Sequence, residues 1–232
     1  MIDFGNDTMT DIDRMIGADS ELRLLLGEVR SRFDSDSAHD IGHLKRVAAW
    51  TVRLAGDGVR SRLCIAAALL HDVVNIPKTH ADRSRASERS ADVARDLLPR
   101  LGFAPPDVTL IADAIRDHSF SRGAVPESAL GRALQDADRL EALGVIGTFR
   151  CIATGVRFDA EFFHATDPWA SDRPLDDARY SVDHYFTKLL KLPATFHTLG
   201  GRTEAERRAG VMRALLESLA LEIDQPLTRV VG

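Results

Sequence analysis

Only two cysteines, Cys64 and Cys151, occur in the 232 residues. That is too few for a disulfide framework, and neither sits in a CxxC knuckle of the kind that holds zinc. A single bridge remains open on count alone, but Cys64 lies in the apolar run before His71 and reads most simply as a small core residue. A long apolar run is missing as well: the longest falls far short of the roughly 20 residues that span a bilayer. The first residues, MIDFGNDTMTDIDRM, are acidic and contain no apolar stretch of the kind a secretory signal needs. Positive charge is in deficit, with 30 Lys and Arg against 35 Asp and Glu and a net charge of -5. A general binder of polymeric nucleic acid is usually basic, so that partner is not expected, although a small phosphate can be held by a few cations or a metal. Runs of alternating β-branched residues, internal repeats and low-complexity linkers are also lacking. What these absences leave is a chain expected to be cytoplasmic, reduced and without a membrane partner.

Helical periodicity fills most of the rest, and it predicts an all-α fold. ELRLLLGEVRSRF places Leu22, Leu25, Leu26 and Val29 at helical spacing, and IGHLKRVAAWTVRLAG repeats Ile41, Leu44, Val47, Ala48 and Trp50 before Gly56 and Gly58. RLCIAAALLHDVV is apolar nearly all round, which predicts a central buried helix. SERSADVARDLLPRLG has Ser87 as a candidate cap and Pro99 against its last turn. PPDVTLIADAIRDHS starts on a proline pair, as helices commonly do. SALGRALQDADRLEALG and GVIGTFRCIATG follow, VDHYFTKLLKL is expected to stop at Pro193, and the last helix carries Val211, Met212, Leu215, Leu216 and Leu219 on a stripe. From about Gly155 to Arg179 the periodicity lapses, and a structureless stretch of this length is more often functional than inert. The residues after Ile223 are expected to fray.

Against this background the pair His71-Asp72 stands out, because it follows an almost unbroken apolar run. A buried carboxylate without a partner costs several kcal/mol or takes up a proton. A divalent cation would remove that cost; a pair facing water, or an arginine partner, would also do so. Candidate partners lie elsewhere. His39, Asp40 and His43 occur in AHDIGHLKRV, with the two histidines one helical turn apart. Asp136 and Asp138 sit mid-helix, where aspartate has poor propensity. A solvated acidic face is the plain alternative for either one alone.

Taken together, these residues form the pattern H…HD…D, and the chain resembles the HD-domain superfamily of metal-dependent phosphohydrolases. The blocks HDIGHLKRV, AALLHDVVNIPK, AIRDHSFSRG, LQDADRLEALGVIG and KLLKLPATFHTLGGR stand in the order and spacing of one bacterial subgroup, which includes pyrophosphatases acting on nucleoside and deoxynucleoside triphosphates. The likeness runs from about Ser31 to Leu221. It implies an all-α HD-domain helical bundle with additional C-terminal helices. Residues 1–30 would form an N-terminal helical extension, 31–222 the hydrolase domain and 223–232 a tail.

The resemblance implies a ligand set of His43, His71, Asp72 and Asp138, with His43 preferred over His39 because Arg46-Val47 follows it at the family's spacing. Such mixed nitrogen and oxygen donors suit Mn, Mg, Fe, Co, Ni or Zn without singling one out; the subgroup's precedent favours one Mn. The ion would polarise a phosphoryl oxygen and activate a water. Lys78, Arg122, Lys188 and Arg202 are the candidate phosphate contacts, with Lys191 and His80 as weaker ones. His118 is expected to touch phosphate or to support a ligand, and Asp72, His118 and Lys78 form the catalytic set. Asp40 could orient a ligand histidine.

One position departs from many HD hydrolases. Asn75 stands soon after the pair, where a glycine, lysine or acid is common, and an amide cannot accept a proton as a base does. That leaves an ion-activated water, Asp136 or Glu88 for the role. The expected reaction is cleavage of a nucleoside triphosphate to monophosphate and pyrophosphate. Phosphomonoesterase or phosphodiesterase action is the alternative, and a non-catalytic module binding a nucleotide or a protein is the rival of a different class. Residues 155–179 are expected to close over the substrate, with Trp169, Phe162 or Phe163 as candidate base-stacking groups, although either Phe reads more simply as a core residue. If the chain self-associates, a homodimer is the expected form.

Overall fold

The computed structural model of the chain describes residues 9–32, 41–74, 76, 85–119 and 122–229. Among these, helices account for all the regular structure, and the only strand-like feature is an isolated bridge between Glu161 and Tyr180. The chain forms two compact units, residues 1–138 and 139–232.

In the first unit, α1 (Met9–Ala18) and α2 (Ser20–Arg32) are separated by Asp19, whose carboxylate accepts the amides of Glu21 and Leu22 at 3.0 Å each. This is N-capping in its ordinary form. Ile12, Ile16, Leu22 and Leu25 carry both helices into the core. α3 (Ile41–Ala55) and α4 (Ser61–Leu70) pack side by side, and α4 also meets α2, α5 and α6. Every residue of α4 from Leu63 to Leu70 is buried. Three consecutive alanines, Ala66 to Ala68, keep it slim enough for several neighbours to approach. Its large aliphatic side chains, Leu63, Ile65, Leu69 and Leu70, together bury apolar surface worth on the order of 10 kcal/mol before entropy is set against it.

α4 ends at Leu70, four residues before the end of the expected helix at Val74, so His71 is its C-cap and Asp72 lies in the following turn. α5 (Ala86–Leu97) pairs with α6 (Pro105–Asp117). Ser87 does not cap α5: it is already inside the helix and buried, and Arg85 occupies the cap without a side-chain bond. Pro99 tightens the end of this segment into the 3-10 turn Leu98–Leu101, closed by Gly102 at φ 79°, a left-handed conformation that favours glycine. α7 (Ala129–Leu140) carries Asp138 at the end of the first unit.

In the second unit, α8 (Gly144–Arg157) packs against α9 (Ser181–Thr187) and α10 (Leu199–Glu222). The expected helix through Leu192 is broken at Lys188. A 3-10 segment, Leu189–Thr195, takes over and runs through Pro193, which the tighter turn accommodates. α10 starts at Thr198, whose hydroxyl accepts the Gly201 amide at 3.0 Å. Its inward face is Ala205, Ala209, Met212, Leu216 and Ala220; Val211 and Leu215 are exposed, so the stripe is narrower than expected.

Residues 158–180 are irregular but tied down. Asp183, fully buried, takes a two-pronged bond from Arg173 at 2.6 and 2.9 Å, and the Asp167 carboxylate accepts the amides of Ser171 and Asp172. Trp169 is buried, and its indole N–H donates to Gln225 O at 3.2 Å. That burial removes Trp169 as a base-stacking surface. Phe162, expected in the core, is 57% exposed. The segment after Ile223 does not fray as far as Arg229, which donates to Trp169 O and Ala170 O. These anchors also speak against residues 155–179 as a freely closing lid.

A Cβ on Gly147 would lie 2.3 Å from the backbone carbon and oxygen of Ala142, whereas one on Gly17 would meet nothing within 4 Å. Gly147→Ala is therefore expected to lower Tm by roughly 5–10 °C. Gly17→Ala is expected to leave Tm unchanged or raise it slightly. Thermal melts of both variants check the contrast.

Candidate metal centre

Four helices bring titratable side chains to one place. His43 is the third residue of α3, His71 caps α4 with Asp72 just beyond, His118 caps α6, and Asp138 comes from α7. All three imidazoles are buried; the two carboxylates are partly open to solvent. His43 Nε2 and His71 Nε2 each lie 3.7 Å from Asp138 Oδ1. His71 Nε2 is 3.5 Å from Asp72 Oδ2, and His118 Nε2 is 3.6 Å from Asp72 Oδ1. The rings of His43 and His71 are 5.3 Å apart, and those of His71 and His118 are 5.0 Å apart.

Local hydrogen bonds orient these rings. His71 Nδ1 sits 2.7 Å from Ala68 O, and His118 Nδ1 sits 2.6 Å from Ile115 O. A carbonyl can only accept, so Nδ1 carries a proton in both, and in the neutral ring the lone pair is on Nε2. His71 Nε2 is buried and makes no hydrogen bond. Its nearest carboxylates are too far for one, but the distances suit donors around a shared ion. Two atoms each about 2.1 Å from one cation lie about 3–4 Å apart. His43, His71 and Asp138 form one such group, and His71, Asp72 and His118 another, with donor atoms within 4.8 Å of one another in each. The residues present thus fit a divalent cation.

The charge balance says the same. Burial works against an imidazolium at His71, yet the charges of Asp72 and Asp138 outweigh it and push its pKa up to about 9. For Asp138, burial opposes ionisation, but His71 and His118 hold the carboxyl well below its usual range. Without a metal, a proton on His71 stands in for the missing positive charge.

The other sequence candidates belong to neither donor group among the described residues. Glu88 is ion-paired with Arg122, which holds its carboxyl below the ordinary value and weakens it as a base. Asp136 is fully buried and, two residues before Asp138, leaves α7 on nearly the opposite side; it belongs to neither donor group. Lys188 and Arg202 belong to the second unit, where the Arg202 guanidinium donates to Phe196 O. Lys191 is exposed. His39, Asp40, Asn75, Lys78 and His80 lie outside the described residues. Burial pushes the Cys64 thiol up to about 12, in keeping with an inert core residue, and Cys151 is also a free thiol.

Two supporting residues carried no sequence signal of their own. Ser90 Oγ accepts the Val74 amide at 3.1 Å and so pins the turn after Asp72. Its only hint is a buried hydroxyl on a face that also carries Ser87, Ala91, Ala94 and Leu97. Gln135 Nε2 donates to both Asp117 O and Ala124 O, at 2.8 and 3.1 Å, and so ties the end of α6 to Ala124.

Helices that end on inward-facing imidazoles, with aspartates completing the ring, define a helical protein built around a candidate divalent-metal centre. The HD domain model matches residues 40–143, a span that contains all five donors. The Bacillus subtilis protein YpgQ is 30% identical over 196 residues, covering 82% of this chain and 87% of that protein. The chain belongs to the HD-domain family. The crystal structure of Bacillus subtilis YpgQ in complex with ADP is similar at a TM-score of 0.67, with 25% identity over 87% of this chain and 97% of that one. An HD-superfamily hydrolase from Bacillus thuringiensis matches at a TM-score of 0.66, with 26% identity over 88% of this chain and 97% of that one.

Because the pKa of His71 is raised from its ordinary 6.5 to about 9, the proton it gains on folding stabilises the metal-free protein fully below about pH 6.5. That stabilisation is lost as pH rises through about 9. Chelator-treated protein should therefore melt at progressively lower temperature between about pH 7 and pH 9.5, and metal-loaded protein should not follow it. Metal uptake near neutral pH should also release a proton, measurable by calorimetry in buffers of different ionisation enthalpy.

Proposed function

We propose that the chain is a divalent-metal-dependent phosphohydrolase that cleaves nucleoside or deoxynucleoside triphosphates to the monophosphate and pyrophosphate. The observation that carries this reading is the convergence of His43, His71, Asp72 and Asp138, from three separate stretches of sequence, with a buried imidazole nitrogen that no protein group bonds. These four are the proposed ligands, and manganese is the proposed ion. Support for a nucleotide comes from the ADP held by the relative YpgQ.

When bound, the ion would polarise a phosphoryl oxygen and activate water for attack. The chain's own residues prepare for that. The imidazoles are fixed by carbonyls behind them, so they are set in place before any substrate arrives. The two carboxylates stand on the solvent side, where a phosphate would approach. Arg122, paired with Glu88 and partly exposed, is proposed to exchange that partner for a phosphate oxygen. Lys78, Lys188 and Arg202 are assigned to the remaining phosphate charge by their place in the family's blocks.

A release assay over nucleoside mono-, di- and triphosphates with Mn, Mg, Co and Ni tests the proposal. Pyrophosphate should appear from triphosphates, with no phosphate released from monophosphates. Asp72→Ala should lower turnover by at least about 100-fold. Equal turnover in that variant, or phosphate release from monophosphates alone, would overturn it.

A further inference from the structure

Nothing local stops α4 at Leu70. The residues that follow it include no glycine, and the first proline is Pro77, yet these are the two residues that usually punctuate the end of a helix. His71 still has helical backbone angles, φ -58° and ψ -36°. In a continued helix the Val74 amide would donate to Leu70 O, four residues back. Here Leu70 O takes the Val73 amide instead, at 3.2 Å, which closes a tighter turn. The Val74 amide donates to Ser90 Oγ on α5 at 3.1 Å. The stop is therefore supplied from another helix.

Ser90 is fully buried, and the same face of α5 carries Ser87, also buried and one turn earlier. Ser87 Oγ makes no hydrogen bond. A buried hydroxyl on this face is thus not enough in itself; the one at Ser90 is placed to meet the turn. What the turn holds is Asp72, whose carboxylate stands between two imidazoles. Its Oδ2 lies 3.5 Å from His71 Nε2 and its Oδ1 lies 3.6 Å from His118 Nε2. Consecutive side chains on a helix leave it about 100° apart, so a helix running on through Val74 would carry Asp72 away from His71.

We infer that Ser90 is a positioning residue for the metal centre: by taking the Val74 amide it ends α4 at Leu70 and sets the direction of the Asp72 carboxylate. This rests on the metal-centre reading above and adds to it a residue that touches no ion. Without the hydroxyl, the acceptor that a helix offers the Val74 amide is Leu70 O, and Asp72 turns with the backbone as α4 lengthens.

Mn(II) titration of the chelator-stripped full-length chain, with free ion followed by electron paramagnetic resonance, reads the affinity without any substrate. Ser90→Ala removes the acceptor, and Ser90→Cys keeps the side chain's shape but offers only a weak one. Each should weaken Mn(II) binding by about 10- to 100-fold. Ser90→Thr, which keeps the hydroxyl, should recover most of the affinity, and Ser87→Ala should bind as the wild type does. Circular dichroism and a thermal melt establish that each variant is folded. The cysteine variant decides the matter if the alanine variant is not, and the contrast with Ser87→Ala stands even if the added methyl of threonine is not accommodated. Wild-type affinity in a folded Ser90→Ala or Ser90→Cys variant, or an equal loss in Ser87→Ala, would overturn the role of Ser90 and leave the metal centre intact. No bound ion in the wild type would overturn the metal centre itself, and this role with it.

Discussion

Everything near the centre answers to one electrostatic constraint. Three buried imidazoles and two aspartates are held within a few ångströms of each other, and such a set is tolerable only if positive charge sits among them. Neutral imidazoles alone would leave the carboxylates facing each other across a poorly solvated gap, where like charges repel strongly. The protein's provisional answer is the proton at His71. A divalent cation is the fuller one, because it satisfies several lone pairs at once and needs no hydrogen to be shared. The helix lengths, the carbonyls behind the rings and the slim apolar α4 all serve to hold donors where only a cation makes them comfortable.

α4 shows how the core and the site are the same piece of engineering. Its alanines and leucines bury it from every side, which removes freedom of movement from its last residue. Stopping at Leu70 matters as much as the burial does. Were the helix to continue, His71 and Asp72 would leave it about 100° apart and could not both face α6 and α7. Leaving the helix lets the chain turn Asp72 back across His71, and Ser90 on α5 fastens that turn through the Val74 amide. Precision at the centre thus comes from helix ends rather than from helix middles.

The all-helical fold and the metal candidates were legible in the sequence for clear reasons. Helices advertise themselves through period, and His43, His71, Asp72 and Asp138 carry chemistry that is rare on buried faces. What was not legible shares a different character. The orientation of His118 depends on which nitrogen faces which oxygen, and a lone histidine after an amphipathic helix says nothing about that. Trp169 looked like an aromatic available to a ligand, but its burial is decided by Gln225 and Arg229, more than fifty residues later. The split at Lys188 and the 3-10 passage through Pro193 reflect local backbone geometry that apolar spacing cannot report. Glu88 seemed an eligible base until its pairing with Arg122, from a distant segment, lowered its basicity.

The anchoring of residues 224–229 has a further consequence for how the chain is made. Trp169 and Ala170 are secured by groups 56 to 60 positions downstream, so the irregular segment of the second unit cannot settle until residue 229 has left the ribosome. Contacts within residues 1–138 need no such wait. Synthesis therefore separates the two units in time: the stretch holding the candidate metal centre can pack while Trp169 is still looking for its partner. The last part to become native is the one whose anchors are synthesised last.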